Sequence, residues 1–581
     1  MNISEHVVAT DVLVVGAGMA GSFAAIRARE LGAETVIVEQ GKSGFCGMGA
    51  RGMHQLRVVL PEDDLDAVME GTVKECEYII DQDYAEMAIK EMWDRFQDLL
   101  KFGIKFREDE SGQIEWFFMD TYFPEFKQRC TTWEPMGGHV QLLKLKGEAI
   151  RRGVKVLDRI FIVDLLTVDG KVCGAVGFDT IKGDFYLFKT KAVVLACSGS
   201  IGPGHGMPQL TGDGWAMALR AGAELRSMEF ANSVVGAGVP RVSGPFFVHL
   251  YSSPMPDYPI TNAMGEEFLE KYERTRKIPG GRLQAGPPWL RQGLAMLREI
   301  REGRGPCTID WRVPDMGNRL REYYASYFNK VLVQMKHSGI TLDKSVGVLN
   351  LGIVSGQGGG IRINVNAETT LPGLCAAGIA SDQLGAVSHS TLCGLAGAAI
   401  TGYRAGESAA KHALAQPKSD VISAGQVNQL KNEIYAPLGH KQGVLSNDIR
   451  SGVADAWINI DIREEPRLKK AQEQLEELGK ETPKLSADDP HELVKCHKVK
   501  NLILYSQATA EAALLRCETR LGHYRLDYPM TDNKNWLKWV INRQVGGELQ
   551  TYVEDIPIER WKYKPEPVVF DPLEPSKKEA S

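Results

Sequence analysis

Apolar and polar positions alternate with different periods along the chain. Asp11-Val-Leu-Val-Val15 is a β-branched run without polar interruption, the pattern of a strand buried on both faces. It breaks into Gly16-Ala-Gly18-Met-Ala-Gly21, runs on through an alanine-rich stretch that predicts a helix, and closes with a second apolar strand, Thr35-Val-Ile-Val-Glu39. Residues 41–52 are too glycine-rich for a regular element and predict a loop. A helical stretch is expected over 64–103, and Met136-Gly-Gly-His-Val opens another helix. Val154–Leu157 and Ile160–Leu166 predict strands, and Val172–Val176 with Phe185–Phe188 a hairpin-like pair. Lys191–Gly199 reads as a central parallel strand that ends in small residues. Far downstream, residues 372–382 and 392–403 predict a strand, a glycine turn and a helix of small residues.

The first forty residues form a dinucleotide-binding βαβ pattern. Gly16 permits the tight turn, Gly18 lets backbone N–H groups approach a pyrophosphate, Gly21 lets helix pack on strand, and Glu39 stands where an acid accepts from ribose hydroxyls. Ala17, Met19 and Ala20 complete that turn, and Gln40, Ser43 and Gly44 open the following loop. Ile162, the strand end Ala196-Cys-Ser-Gly199 (Cys197 and Ser198 within it), Asp213, Gly378, Asp382, Gly394 and Leu395 are the remaining cofactor candidates. The N-terminus of the downstream helix suits the ring edge of a flavin that becomes anionic on reduction. Three cofactor segments so far apart in sequence favour FAD stretched across a sheet over NAD held in one compact domain.

At 581 residues the chain exceeds one ordinary core and is expected to form two or three domains. A net charge of −6 without a basic stripe argues against a nucleic-acid partner. The first residues lack a basic and apolar leader pattern, and no apolar run has the ~20 residues that span a bilayer, so a cytoplasmic location is expected. The ten cysteines are spaced singly, without the clustering of an iron–sulfur or structural zinc site, and no metal site is assigned.

With these segments in view, the chain resembles the fumarate reductase and succinate dehydrogenase flavoprotein superfamily. The likeness rests on the GxGxxG turn with Glu39, Ala196–Gly199, Thr211-Gly-Asp-Gly-Trp-Ala-Met-Ala218, Ala221-Gly-Ala-Glu-Leu225, Gly373–Gly378 and Glu518–Pro529, which span nearly the whole chain in family order. Pro288-Trp-Leu-Arg291, Glu302–Pro306 and Lys42-Ser43-Gly44 are most similar to the adenylylsulfate reductase α subunit. Gly44 stands where succinate dehydrogenases place a histidine, so the resemblance implies non-covalent FAD. It also implies an α/β fold: a Rossmann-like FAD-binding domain of the GR2 type (1–235 and 345–410), interrupted by a capping α+β domain (236–344). A helical C-terminal domain (411–564) follows, and the Pro-rich, charged residues 565–581 are expected to form a disordered tail. Arg516, Arg520 and His523 are expected to hold the C-terminal domain against the FAD domain.

The substrate side departs from the family. Fumarate reductases and succinate dehydrogenases carry a His-Pro-Thr, a His-Tyr-x-Met-Gly-Gly and an arginine in Gly-Ala-Asn-Arg. This chain has Ala231-Asn-Ser-Val-Val, Ser355-Gly-Gln-Gly-Gly-Gly-Ile361 and Ala386-Val-Ser-His389. A C4 dicarboxylate would leave desolvated charges unpaired, at a cost of several kcal/mol, which argues against fumarate or succinate. The family glutamate that contacts the flavin ribityl chain is replaced by Ile379; either Asp382 or water and backbone take its place. Arg291 is the candidate anion clamp and His389 the candidate acid–base group, because its ordinary pKa lies near neutrality. His54 and His249 are read as structural. Without a second GxGxxG or a cysteine cluster, electrons need a separate partner, expected to be a ferredoxin-like iron–sulfur subunit. The expected function is that of a flavoprotein oxidoreductase subunit that works on a small anionic or unsaturated substrate. The alternatives are an α-like chain of an adenylylsulfate reductase, or a non-catalytic electron-transfer subunit.

Overall fold

A computed structural model describes residues 3–51, 55–120, 127–134, 138–197, 199, 210–230, 234–238, 260–272, 295–310, 312, 346–353, 358–383, 392, 394–416, 422–440 and 442–573. The central element is a five-stranded sheet in the order Leu374–Ala376, Ala192–Leu195, Val12–Val15, Thr35–Glu39, Lys155–Asp158, with every pairing parallel. The three inner strands are buried on both faces, which is why they read as unbroken apolar runs. Helix Met19–Glu30 connects the strands Val12–Val15 and Thr35–Glu39 and packs against Gly394–Leu414, the long helix of small residues. A β-carbon on Gly402 or Gly406 would lie 2.3 or 2.2 Å from the carbonyl oxygens of Ala20 and Ala24, so only glycine lets these helices approach so closely.

A second sheet packs beside the first. Ile160–Val168, Lys171–Asp179 and Phe185–Lys189 run antiparallel, and Glu5–Ala9 adds in parallel to the last of them. The chain leaves this region along Val234–Gly238 and returns along Val346–Ile353, which pair with each other. Cys307–Asp310 and Ile260–Thr261 extend that sheet outward. Helices Ala424–Tyr435, Ser446–Asp461, Glu465–Glu481 and Pro490–Leu515 form the C-terminal region. The last begins with Asp489 accepting from the Glu492 N–H and Pro490 in its first turn, a start signal legible in sequence.

The structure refines two expectations and corrects a third. The helical stretch over 64–103 is two helices, Leu65–Glu75 and Gln82–Lys101, each begun by an aspartate cap, Asp64 and Asp81. Between them Glu77 and Tyr78 adopt positive φ, and Ile79 and Ile80 turn into the core. The helical C-terminal region is followed by a hairpin, Lys538–Val545 with Glu548–Asp555, turned by Gly546 and Gly547, both at positive φ. This hairpin joins Leu225–Arg226 and Gly360–Ile361 in one sheet, tying the C-terminus to the cofactor half. Of the expected disordered tail, residues 565–573 are docked. Val569–Phe570 pairs with Thr531–Asp532, Asp571 accepts from Arg298, and Leu573 is fully buried. Among the described residues no helix is long and apolar enough to cross a membrane.

Candidate functional site

The C-terminal ends of the parallel strands gather the cofactor candidates on one edge, where open α/β sheets bind ligands. Gly16 turns out of the Val12–Val15 strand at φ +105°, and a β-carbon there would meet the Ala196 carbonyl oxygen at 2.6 Å. Gly21 fits under the same turn, where a β-carbon would lie 1.8 Å from the Gly16 oxygen. Gly18 caps helix Met19–Glu30 without a side-chain acceptor, and no described residue lies within 4 Å of where its β-carbon would be, so the first-turn N–H groups of Met19, Ala20 and Gly21 face a position where an anion can approach.

Glu39 ends the neighbouring strand with one carboxylate oxygen accepting from the Ala17 N–H (3.0 Å) and the other from the Gly41 N–H (3.2 Å). Burial pushes its carboxyl up, against the pull of those two donors and of Lys498. Gln40 contributes its carbonyl to Thr180 Oγ1. Ser43 donates its hydroxyl to Asp158 Oδ1 at 2.6 Å, and its N–H goes to the same oxygen. Gly44, at φ +92°, lies against Leu143. Ile162 is buried at an irregularity in its strand, opposite Gly177.

On the other side of the Gly16 turn, Ala196 packs over Gly21 and the Cys197 sulfur lies against Gly214. Burial pushes the Cys197 thiol far up, so it packs as a small apolar group. Gly199 fits between Trp215 and the Ile379 carbonyl, and the indole N–H of Trp215 donates to the Ala380 carbonyl at 2.9 Å. Asp213 opens helix Asp213–Ala221, its Oδ1 accepting from Thr211 Oγ1 (3.0 Å) and Asn501 Nδ2 (2.8 Å). Gly378, at φ +63°, donates its N–H to Thr401 Oγ1 at 2.9 Å, which locks the turn onto the small-residue helix. Gly394 opens that helix at φ +71° with no described residue within 4 Å of where a β-carbon would lie, and Leu395 follows half-buried.

These residues fit a dinucleotide. A carboxylate, an uncapped helix N-terminus over a glycine and a second glycine-opened helix start lie along one sheet edge, and at Gly18 and Gly394, where no described residue crowds the backbone, a ligand can approach.

Sequence reasoning missed several groups. Lys498 and Asn501, from helix Pro490–Leu515, reach the Glu39 and Asp213 side of this edge: Asn501 bonds Asp213, and the buried Lys498 ammonium interacts with both Asp213 and Glu39. Two polar residues three apart on a helix otherwise buried on most sides were the available signal. Arg226 pairs with Asp382 as a fully buried ion pair and stacks over Trp539 at 4.6 Å. Asp382 is thereby engaged in charge neutralisation.

The C-terminal motif forms a larger buried network. Arg516 donates to Glu229 (2.8 Å) and Glu518 (2.7 Å), and Arg520 donates to Glu518 and to the Glu77 carbonyl. His523 Nδ1 accepts from Arg463 at 2.5 Å; burial and the surrounding guanidinium groups hold its pKa well below the usual value, so it stays neutral. Arg291, His389, Ser198, His54 and His249 lie outside the described residues.

Residues 11–391 match the FAD binding domain family and residues 459–579 the fumarate reductase flavoprotein C-terminal family. One chain of the fumarate reductase (CoM/CoB) of Methanothermobacter marburgensis is 28% identical over 554 residues, covering 92% of this chain and 97% of that protein. The fold is similar to that of a point variant of E. coli quinol fumarate reductase FrdA, with TM-score 0.81, 21% identity and coverage of 95% and 97%. It is also similar to adenylylsulfate reductase from Archaeoglobus fulgidus, with TM-score 0.76, 20% identity and coverage of 97% and 98%.

Proposed function

The chain belongs to the FAD-binding flavoproteins of the fumarate reductase and succinate dehydrogenase family and is an FAD-dependent oxidoreductase, and from that premise we propose a catalytic flavoprotein subunit that exchanges two electrons with a small anionic or unsaturated substrate. Single electrons pass to a separate iron–sulfur protein. The observation that carries the reading is the convergence of Glu39, the open Gly16–Gly21 turn, the Gly378 turn and the Gly394 helix start on one sheet edge. Ten singly spaced cysteines support a separate electron partner.

The chemistry FAD supplies when bound is hydride transfer coupled to one-electron release. With FAD bound, Glu39 would hold ribose hydroxyls, and the first-turn N–H groups after Gly18 would hold the pyrophosphate. The N-terminus of Gly394–Leu414 stabilises negative charge at its end. Gly44 leaves no side chain for a covalent link at its position, which supports non-covalent binding of FAD. Arg291 clamps an anionic group of the substrate and His389 delivers or accepts the proton. The departures at Ala231, Ser355 and His389 from the C4-dicarboxylate pattern point to a substrate other than fumarate or succinate.

The test is steady-state turnover of purified holoprotein with a reduced one-electron dye against enoates, including fumarate, and their CoA thioesters, and with an oxidised one-electron dye as acceptor against AMP plus sulfite. Turnover confined to one class, lowered about a hundredfold or more by Arg291→Ala or His389→Ala, is the expected result. Absence of turnover with every class overturns the proposal, and preferential turnover of fumarate overturns the substrate reading.

A further inference from the structure

Gln383 follows the Gly378–Asp382 turn and lies almost wholly buried, at 2% exposure. Its backbone sits at φ +45°, a region that a long side chain occupies only where the surroundings dictate it. The Ser381 hydroxyl bonds back to the Gly378 carbonyl, the Asp382 N–H donates to the Ile361 carbonyl, and the Asp382 carboxylate pairs with Arg226. The turn is therefore fixed up to the residue before Gln383, and the strain at Gln383 is held by it. The amide oxygen reaches the first turn of the Gly394–Leu414 helix: a β-carbon on Gly397 would lie 2.6 Å from it, so that glycine makes the room it occupies. Yet this buried oxygen has no hydrogen-bond partner among the described residues. An acceptor left so costs roughly 1–3 kcal/mol, and the positive φ at the same residue adds to that cost, so a donor from outside the chain is the economical way to satisfy it.

We propose that Gln383 is a cofactor-positioning residue whose side-chain amide oxygen accepts a hydrogen bond from the flavin half of bound FAD, through a ribityl hydroxyl or the ring N3–H. Those are the donors on that half of the molecule, and Gln383 stands between the Gly378 turn and the Gly394 helix start. Asp382, one residue earlier, is engaged by Arg226; Gln383 supplies the acceptor from the same turn. The inference rests on FAD alone and is independent of the substrate reading.

Gln383→Met keeps side-chain length and removes the amide. Dissociation constants for FAD and for ADP, which lacks the flavin half, are measured on deflavinated full-length protein, together with the unfolding temperature of the apoprotein and the visible spectrum of the reconstituted flavin. The expected result is FAD binding weakened about five- to tenfold, ADP binding unchanged, a shifted flavin spectrum, and an apoprotein that unfolds no lower than the wild type because an unpaired buried acceptor has gone. Wild-type FAD affinity in the variant overturns the proposal. So does an equal loss of ADP and FAD binding, or an apoprotein that unfolds several degrees lower, since either places the role of Gln383 in the fold itself.

Discussion

Gly402→Ala probes the contact that sets the geometry of the cofactor edge. A helix-interior glycine replaced by alanine gains about 1 kcal/mol in propensity, so an unobstructed site would be stabilised. At Gly402 the added β-carbon would lie 2.3 Å from the Ala20 carbonyl oxygen and 2.9 Å from its Cα, whereas carbon and carbonyl oxygen settle at about 3.3 Å or more. The helices must part by about 1 Å, and the obstructing atoms are backbone that cannot rotate aside. Overpacking of this kind costs roughly 1–3 kcal/mol, at its upper end against backbone, so the net expectation is a loss of about 1–2 kcal/mol. Because Ala20 lies in the first turn beside the Gly18 position, the displacement also loosens FAD. Gly147, in helix Gly138–Arg151 with open space around it, is the control. Gly147→Ala is expected to stabilise by about 0.5–1 kcal/mol. Thermal unfolding of both holoproteins, with flavin fluorescence reporting release, reads the two together. If Gly402→Ala unfolds at or above the wild-type temperature with its flavin retained, the close helix approach is not what positions the first turn.

Asp382→Ala leaves the Arg226 guanidinium buried without its carboxylate and is expected to destabilise by about 3–5 kcal/mol in denaturant unfolding, while Asp382→Asn, which keeps an acceptor, costs less; equal effects would discount the charge pairing. Hydrogen bonds from Arg304, with Asn262 and Tyr272, hold the Glu299 carboxyl down to about 2 from its ordinary 4.5. Its stabilising contribution is therefore complete above pH 4.5 and lost as pH falls through about 2, and Glu299→Gln should flatten the acid limb of the unfolding temperature; an unchanged limb would contradict the assignment. Asn501→Leu removes a donor to Asp213 and is expected to weaken FAD about fivefold, read by fluorescence titration, and an unchanged affinity would detach the C-terminal helix from the cofactor edge.

The sheet edge that gathers the cofactor candidates was legible because its strands are buried on both faces and its turns need glycine, two demands that write themselves locally into the sequence. What escaped depends on distance along the chain. Arg226 and Asp382 are 156 residues apart and Arg516 and Glu229 are 287 apart, and no local pattern marks either pair. Asp382 could be offered as a ribityl contact only while its partner was unseen. The break between the helices at 75 and 82 escaped because Glu77 and Tyr78, neither glycine nor proline, take positive φ under tertiary constraint, with the Arg520 guanidinium bonded to the Glu77 carbonyl. The proline-rich end misled through composition, since Val569–Phe570 finds order by pairing with a distant strand.

The most direct test of the function is an anaerobic stopped-flow record of the chemically reduced holoprotein mixed with each unsaturated acid or CoA thioester in turn, and of the oxidised holoprotein mixed with AMP and sulfite. A response confined to one class, either return of the oxidised flavin absorbance with an unsaturated substrate or its loss with AMP and sulfite, without any added electron partner, is the expected result. A flavin that responds to none of them, yet exchanges electrons with an iron–sulfur protein, would contradict a catalytic role and leave electron transfer alone.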